Sequence, residues 1–212
     1  MHSRTHPLIA MLLVDCKAPG DAAEREFWQQ IESARAPLVE PIDSSHSWVT
    51  FIYRLDAGQH HSCVRGIALS PAHSLLPRIG NSNVAAATFR IRNDRRFGYD
   101  FVADVPLVDP VTASPAERRA LGAHMATHAP QPDRYAARSC VAQFGSASHS
   151  EFEMPAAEPQ PHFSTDASTR LQEVLPADVG LKTDRPISVY QPSATDSVHP
   201  LPTVYVISAD GY

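Results

Sequence analysis

Apolar side chains recur at every second position over much of residues 47–103, and this alternation constrains the fold more than any other feature of the sequence. The clearest runs are residues 49–54, 89–92 and 97–102. Turn-forming residues separate them at 56–58, 80–83 and 93–94. A period of two places successive side chains on opposite faces of a strand. Several short strands joined by turns predict an antiparallel β-sandwich.

The proline content agrees with a mainly β fold, because 19 of the 212 residues are Pro and each removes a backbone donor. Two helices are nevertheless expected. In residues 21–34, Asp21 suits an N-cap with Glu24 three positions later, and Pro37 ends the helical pattern. Near residues 115–128, Ser114 precedes Pro115, which is typical of a helix start.

Residues 1–20 are predicted to form a disordered or loosely packed N-terminal extension. Its apolar run, residues 7–14, is too short to span a bilayer. Asp15, Cys16 and Lys17 follow this run in place of a small-residue cleavage site, although a signal peptide stays open as an alternative.

Charge and cysteine content exclude some function classes. The net charge is −5 and the pI is near 6.1, so the chain lacks the basic footprint of a nucleic-acid-binding protein. Its three cysteines, Cys16, Cys63 and Cys140, are odd in number and far apart, which indicates neither a disulfide framework nor a zinc knuckle. A cytoplasmic protein with no membrane association is predicted.

The second half of the sequence divides into a connector and a further β segment. Residues 108–168 are rich in Pro, Ala and Ser and predict a Pro-rich connector after a sandwich domain at residues 21–107. Strand character returns in residues 169–212, at 169–174 and 187–190. Residues 203–207 (TVYVI) are typical of a strand buried on both faces of a sheet. We expect residues 169–212 to begin a larger domain that is incomplete here.

Several motifs in collinear order resemble the enterochelin (ferric enterobactin) esterase family. They are FWQQ at 27–30, APLVE at 36–40, VTFIYR at 49–54, NDRRFGYDF at 93–101, GSASHSEFEMPAAEPQP at 145–161, RPISVY at 185–190 and TVYVISADG at 203–211. The sequence departs from the family pattern at residues 83–87, which read NVAAA where an aromatic residue is usual, and at Ser188, which replaces another aromatic residue.

This resemblance implies an N-terminal helix and immunoglobulin-like β-sandwich, a Pro-rich connector, and the opening strands of an incomplete α/β-hydrolase domain. Members of the family hydrolyse the ester bonds of the trilactone siderophore enterobactin, usually as its ferric complex, and so release iron in the cytoplasm. The hydrolase domain carries the Ser–His–acid triad, and the N-terminal sandwich helps to form the substrate cleft. A ferric siderophore is therefore the expected partner, and no cofactor is expected.

The sequence contains no G-x-S-x-G nucleophile motif, so no catalytic residue is predicted and a catalytically incomplete esterase is expected. Asp210, Gly211 and Tyr212 would lie near the loop that supplies an oxyanion-hole donor in the family. Two other hypotheses stay open: a non-catalytic binding module for a siderophore or another anion, and an unrelated sandwich adhesin or carbohydrate-binding module.

Four arginines, Arg90, Arg92, Arg95 and Arg96, are the candidate ligand-binding residues. Guanidinium groups beside aromatic rings suit an anionic catecholate through paired hydrogen bonds and stacking. Solvation of an outer sheet face is the alternative for each arginine. His124 and His128 are four residues apart on the predicted second helix, but without a third ligand they do not predict a metal site.

Overall fold

A computed structural model describes residues 4–67, 71–109, 111–141, 148–159, 170–174 and 187–191. The chain divides into two units, Met1–Glu158 and Pro159–Tyr212. The described helices are α1 (Pro7–Asp15), α2 (Ala22–Ala34) and α3 (Pro115–Thr127), with a 3-10 turn at Pro71–His73. The described strands of the first unit are β1 (Leu38–Pro41), β2 (His46–Arg54), β3 (His61–Arg65), β4 (Leu75–Pro77), β5 (Val84–Arg92), β6 (Arg96–Ala103), β7 (Arg138–Val141) and β8 (Ser148–Glu153). The second unit contributes β9 (Arg170–Val174) and β10 (Ile187–Gln191).

The first unit is mainly β and holds two antiparallel sheets. The three-stranded sheet has the order β1-β2-β5, and the five-stranded sheet has the order β4-β3-β6-β8-β7. The strands predicted from residues 49–54, 89–92 and 97–102 are confirmed as parts of β2, β5 and β6. A predominantly β fold with few helices is therefore as expected.

The two sheets share one apolar core. Val49 and Phe51 of β2 pack with Val64 of β3 and with Tyr99 and Phe101 of β6. Phe51 and Tyr99 meet edge to face, with ring centroids 5.1 Å apart, an arrangement that aromatic pairs favour. The side of β2 predicted to be apolar thus faces the five-stranded sheet.

The other face of the three-stranded sheet is covered by α1 and α2. Ile52, on this second face of β2, joins one cluster with Ile9 and Leu12 of α1 and with Phe27 and Ile31 of α2. Pro7–Asp15 is thus a packed helix, and the expectation of a disordered or loosely packed extension is wrong for these residues. The physical reason is that the short apolar run can bury two of its side chains against α2 and the sheet.

Helix α2 begins as its sequence predicts, and it is anchored by a buried carboxylate. The Asp21 side chain accepts a hydrogen bond from the Glu24 amide at 3.0 Å, which caps the helix. The buried Glu24 side chain accepts from the amides of Gly20 at 2.9 Å and Asn83 at 3.0 Å. Because Asn83 directly precedes β5, this carboxylate ties the helix to the three-stranded sheet.

Helix α3 packs on the outer face of the five-stranded sheet, the face directed away from the shared core. A capping box between Ser114 and Glu117 starts the helix, as the sequence predicts. Leu121 and Met125 pack against the buried cluster of Cys63, Val102 and Val105.

The predicted connector contributes two strands to the five-stranded sheet. Strand β8 pairs with β6 through the register Tyr99↔Ser150, and β7 pairs with β8 on its other side. The alternating Ser, His and Glu residues of β8 gave no hydrophobic signal, because the sheet face that carries His149, Glu151 and Glu153 is polar. The sheet therefore extends beyond residue 107.

In the second unit, β9 and β10 form an antiparallel pair with the register Ile187↔Val174. Both strands were predicted from the sequence. The predicted strand at 203–207 and the segment Asp210, Gly211 and Tyr212 lie outside the described residues. Within the described ranges, no helix is both long enough and apolar enough to cross a lipid bilayer.

Candidate ligand-binding site

Three of the four predicted arginines lie together at one end of the three-stranded sheet. Arg90 and Arg92 are near the end of β5, paired with Trp48 and His46 of β2, and Arg95 lies in the turn that follows. Arg96 is the first residue of β6 and belongs to the five-stranded sheet.

Each of these guanidinium groups contacts an acidic side chain. Arg92 donates to both carboxylate oxygens of Asp94, and Arg95 approaches the same carboxylate at 3.7 Å. Arg90 lies 4.0 Å from Asp43 and 3.1 Å from Nδ1 of His46. Hydrogen bonding from Arg92 lowers the pKa of Asp94, which therefore stays charged near neutral pH. The cluster is exposed, and these carboxylates offset part of its positive charge.

Arg96 belongs to a separate ion-pair network on the outer face of the five-stranded sheet. It contacts Glu153 at 2.7 Å and Glu151 at 3.8 Å, and Arg138 contacts Glu153 at 3.0 Å. Hydrogen bonding from Arg96 lowers the pKa of Glu153. The sequence neighbours Arg95 and Arg96 therefore contact different acidic groups.

A second polar group, absent from the sequence predictions, lies on the same outer face beside this network. Arg65 of β3 donates from Nε and Nη2 to the two oxygens of Asp100 on β6, both at 2.6 Å. His149 of β8 places Nδ1 3.1 Å from the same carboxylate. Three strands that are distant in sequence thus bring a guanidinium, a carboxylate and an imidazole together.

Burial of the carboxylate holds this group in place. The Asp100 side chain is 3% exposed, whereas those of Arg65 and His149 are 42% and 35% exposed. The hydrogen bonds from Arg65 to Asp100 raise the pKa of that guanidinium. Paired hydrogen bonds of this kind fix a guanidinium more firmly than a single contact does. The Arg65 guanidinium and the His149 imidazole are therefore held in a defined orientation and are partly exposed to solvent.

Two glycines line a cavity beside these side chains. The cavity, of about 390 Å³, is lined by Arg65, Gly66, Gly98, Tyr99, Asp100 and His149. Gly66 has φ +94°, and a Cβ there would lie 2.1 Å from the Gly98 carbonyl oxygen. Only glycine fits at this approach of the two strands. At Gly98 the nearest atom to an added Cβ would be 3.9 Å away, so its missing side chain leaves accessible space.

The histidine pair of α3 has a structural explanation. The rings of His124 and His128 stack at 3.9 Å, and Nε2 of His124 bonds the Ala103 carbonyl oxygen at 2.9 Å. Among the residues that the structure describes, no three His, Cys, Asp or Glu side chains are grouped as metal ligands. In the stretch GSASH at 145–149, only Ser148 and His149 are described, and His149 is the imidazole bound to Asp100.

Sequence comparison decides the family. The family model described as "Enterochelin esterase, N-terminal" matches residues 48–163, which is more than half of the chain and includes both polar groups of the outer face. The chain belongs to the enterochelin esterase family. No curated protein matches the sequence.

Solved structures of enterobactin esterases share the fold of this family member. The enterobactin esterase FES from Shigella flexneri with 2,3-di-hydroxy-N-benzoyl-serine matches at 20% identity and a TM-score of 0.54, covering 71% of this chain and 41% of that one. The same enzyme with enterobactin matches at 17% identity and a TM-score of 0.52, covering 78% and 44%. Ferric enterobactin esterase from Salmonella typhimurium matches at 19% identity and a TM-score of 0.50, covering 70% and 42%. The chain therefore spans about two fifths of the length of these proteins.

Proposed function

We propose that this enterochelin esterase-type protein acts in siderophore iron acquisition, and that its two-sheet unit recognises a ferric catecholate siderophore such as ferric enterobactin. The family match over residues 48–163 carries the proposal. The structures of the Shigella flexneri enzyme in the presence of enterobactin and of 2,3-di-hydroxy-N-benzoyl-serine support the ligand class.

We assign ligand recognition, and not ester hydrolysis, to the described domain. The 212 residues contain no G-x-S-x-G motif. The domain instead offers guanidinium groups held by hydrogen bonds, at Arg65 and in the Arg90, Arg92 and Arg95 cluster. Ferric enterobactin is a trianion, and positioned guanidinium groups bind anionic oxygens through directed N–H donors.

The proposal also includes an immunoglobulin-like sandwich, an α/β-hydrolase opening and a cytoplasmic location. Two antiparallel sheets with one shared core support an immunoglobulin-like sandwich. The antiparallel pair β9–β10, at the position of the family's first hydrolase strands, supports an α/β-hydrolase opening in residues 169–212. The three cysteines, odd in number and far apart in the sequence, support a reducing cytoplasm as the location. Burial raises the pKa of the Cys63 thiol to about 11, so this thiol stays protonated near neutral pH.

Titration of the chain with ferric enterobactin, followed by tryptophan fluorescence, tests recognition, and a parallel assay for released benzoyl-serine tests hydrolysis. A ferric hydroxamate siderophore, which lacks the catecholate charge, is the control ligand. Saturable binding of ferric enterobactin that weakens with added salt is expected. Binding without turnover supports the recognition role, and binding with turnover shows that the chain is itself an esterase. Equal binding of the two siderophores, or binding of neither, contradicts the proposal.

The predicted arginine cluster has its own test within this titration. The double variant Arg90→Gln/Arg92→Gln removes two exposed guanidinium groups while the strand pairing of β5 is kept. If the cluster contacts the ligand, affinity for ferric enterobactin falls about tenfold or more, since each charged hydrogen bond contributes roughly 1.5–3 kcal/mol. An unchanged affinity would show that the cluster does not contact the ligand and only solvates the edge of the sheet.

A further inference from the structure

Helix α1 is apolar on two opposite sides. Ile9 and Leu12 are buried against α2 and the three-stranded sheet. The other side carries a second apolar stripe at the spacing i, i+3, i+4 and i+7, and all of its members are exposed. This outer stripe consists of Pro7, Ala10, Met11 and Val14. A helix that is apolar all round is normally buried all round, yet Met11 and Val14 are 55% and 66% exposed.

The outer stripe borders a shallow groove between α1 and α2. Met11 and Phe27 are among the apolar residues that line this groove, and Asp15 and Glu26 are its acidic residues. Both carboxylates are exposed. An apolar surface beside negative charge suits an occupant that carries a cation next to apolar side chains.

The segment that leads into α1 has this composition. Arg4 lies three residues before Pro7, and its side chain is 48% exposed although Nη2 contacts Glu40 at 2.8 Å. The segment therefore has a cation at its start, an acid, Asp15, at its end, and the outer stripe between them. Two antiparallel copies place stripe against stripe and Arg4 of each copy near Asp15 of the other. One self-complementary patch of this kind is sufficient for a two-fold dimer.

The charges argue against a lipid surface as the occupant. Helices that bind anionic membranes carry Lys and Arg beside their apolar face. Here Asp15 and Glu26 lie beside the groove, and the chain carries a net charge of −5. Lys17, just after α1, donates from Nζ to the Val14 carbonyl oxygen of its own helix. A second copy of the chain therefore fits the outer stripe better than a membrane does.

We propose that the outer stripe of α1 is a self-association surface, at which two copies of this chain pack antiparallel about a two-fold axis. Met11 and Val14 form the apolar centre of the contact, and Arg4 and Asp15 pair across its two ends. A nine-residue helix offers a small interface, below about 1,200 Å² in total, which is typical of weak association. The contact does not involve either polar group of the candidate ligand-binding site.

Analytical ultracentrifugation of the full chain, from about 1 μM to about 1 mM, measures the monomer–dimer equilibrium. Met11→Gln/Val14→Gln makes the stripe polar at two exposed helix positions, so the fold should be kept. Leu107→Gln/Val111→Gln is the matched control, because these apolar residues are also exposed, at 46% and 88%, but lie before α3. Thermal unfolding of each variant checks that it is folded.

A concentration-dependent dimer is expected, with a dissociation constant raised about tenfold or more by Met11→Gln/Val14→Gln, because the burial of two apolar side chains is lost. The control should change it by less than about twofold. A chain that is monomeric over the whole range, or equal dissociation constants for the two double variants, overturns the inference.

Charge reversal tests the antiparallel arrangement separately. Asp15→Arg places like charges at both ends of the contact, so the dissociation constant should rise about fivefold or more. Arg4→Asp/Asp15→Arg restores opposite charges and should recover most of the lost affinity. No effect of Asp15→Arg, or no recovery in the double variant, contradicts the arrangement. Flotation with vesicles of phosphatidylcholine and phosphatidylserine tests the lipid alternative: binding that Met11→Gln/Val14→Gln abolishes would assign the stripe to a membrane and overturn the proposal.

Discussion

At the residue scale, Asp133 and Tyr99 form a buried polar pair beside the shared core. The Tyr99 hydroxyl donates to Oδ2 of Asp133 at 2.8 Å, and the Tyr135 amide donates to Oδ1 at 2.8 Å. Burial raises the pKa of Asp133 and outweighs these two hydrogen bonds, which lower it. Burial also raises the pKa of Tyr99, so the phenol remains a donor.

The raised pKa of Asp133 makes folding stability depend on pH. Its protonated form stabilises the folded state fully below the unfolded-state pKa of about 3.9, and this contribution is lost as the pH rises through the raised folded pKa. Asp133→Asn removes the ionisation. Relative to the unaltered protein, the variant should therefore gain stability between pH 4 and neutral pH, by about 1.4 kcal/mol per unit of pKa shift.

Urea unfolding at several pH values measures this dependence. Asp56→Asn, at an exposed turn position, is the matched control and should show no comparable trend. A stability difference between Asp133→Asn and the unaltered protein that is constant over this pH range would contradict the assignment of a raised pKa to Asp133.

Alanine substitutions at Gly66 and Gly58 distinguish the cost of backbone strain from the cost of steric overlap. Both have positive φ, +94° and +87°, but an added Cβ meets the Gly98 carbonyl oxygen at 2.1 Å only at Gly66, and at Gly58 it has no neighbour within 4 Å. Gly58→Ala should cost about 1–2 kcal/mol from the left-handed backbone alone. Gly66→Ala should cost about 2–5 kcal/mol, because the overlap adds to the strain. Equal losses in urea unfolding would contradict the close approach of β3 and β6.

At the element scale, the sequence predicts the strands with the clearest apolar alternation and misses β8, whose outer face is polar. Strands β2, β5 and β6 alternate clearly because one face of each packs into the shared core. Strand β8 reads as Ser, His, Ser, Glu, Phe and Glu, and its place in the sheet depends on pairing with β6, about fifty residues earlier. Local patterns carry no information on such pairing.

The candidate site shows the same limit. Arg90, Arg92, Arg95 and Arg96 were found from the sequence because they are close together in it, yet Arg96 contacts Glu153 in a different network. Arg65, Asp100 and His149 were missed because the register between β3, β6 and β8 brings them together. Asp100 alone lies in a strand that was predicted, and a polar residue at an alternating position of a strand identifies no partner.

Helix α1 offers an element-scale test, because neighbouring leucines have opposite environments. Leu12 is 3% exposed in the cluster with α2, whereas Leu13 is 56% exposed. Leu12→Ala should lower the free energy of unfolding by about 2–5 kcal/mol through lost burial and the cavity left behind. Leu13→Ala is the matched control, with an expected change within about 0.5 kcal/mol. Similar small effects for both variants would show that α1 does not pack on the three-stranded sheet.

At the scale of the described first unit, the packing of helices and sheets leaves part of the outer face of the five-stranded sheet uncovered by the described residues. Helices α1 and α2 cover the three-stranded sheet, the two sheets cover each other, and α3 covers the Cys63 and Val102 end of the five-stranded sheet. The remaining part of that outer face carries Arg65, Asp100, His149 and the Arg96 network. Packing therefore explains why the cavity at Gly98 is accessible, and no strand pattern predicts it.

Chemical-shift mapping with the diamagnetic gallium complex of enterobactin tests the central claim most directly. The intact chain, labelled with nitrogen-15, is titrated to saturation, and amide shifts are followed across the two-sheet unit. Recognition by this unit predicts saturable shifts that are largest beside Arg65 or beside the Arg90, Arg92 and Arg95 cluster. If no amide of the two-sheet unit shifts at saturating ligand, the claim that this unit recognises a catecholate siderophore is contradicted.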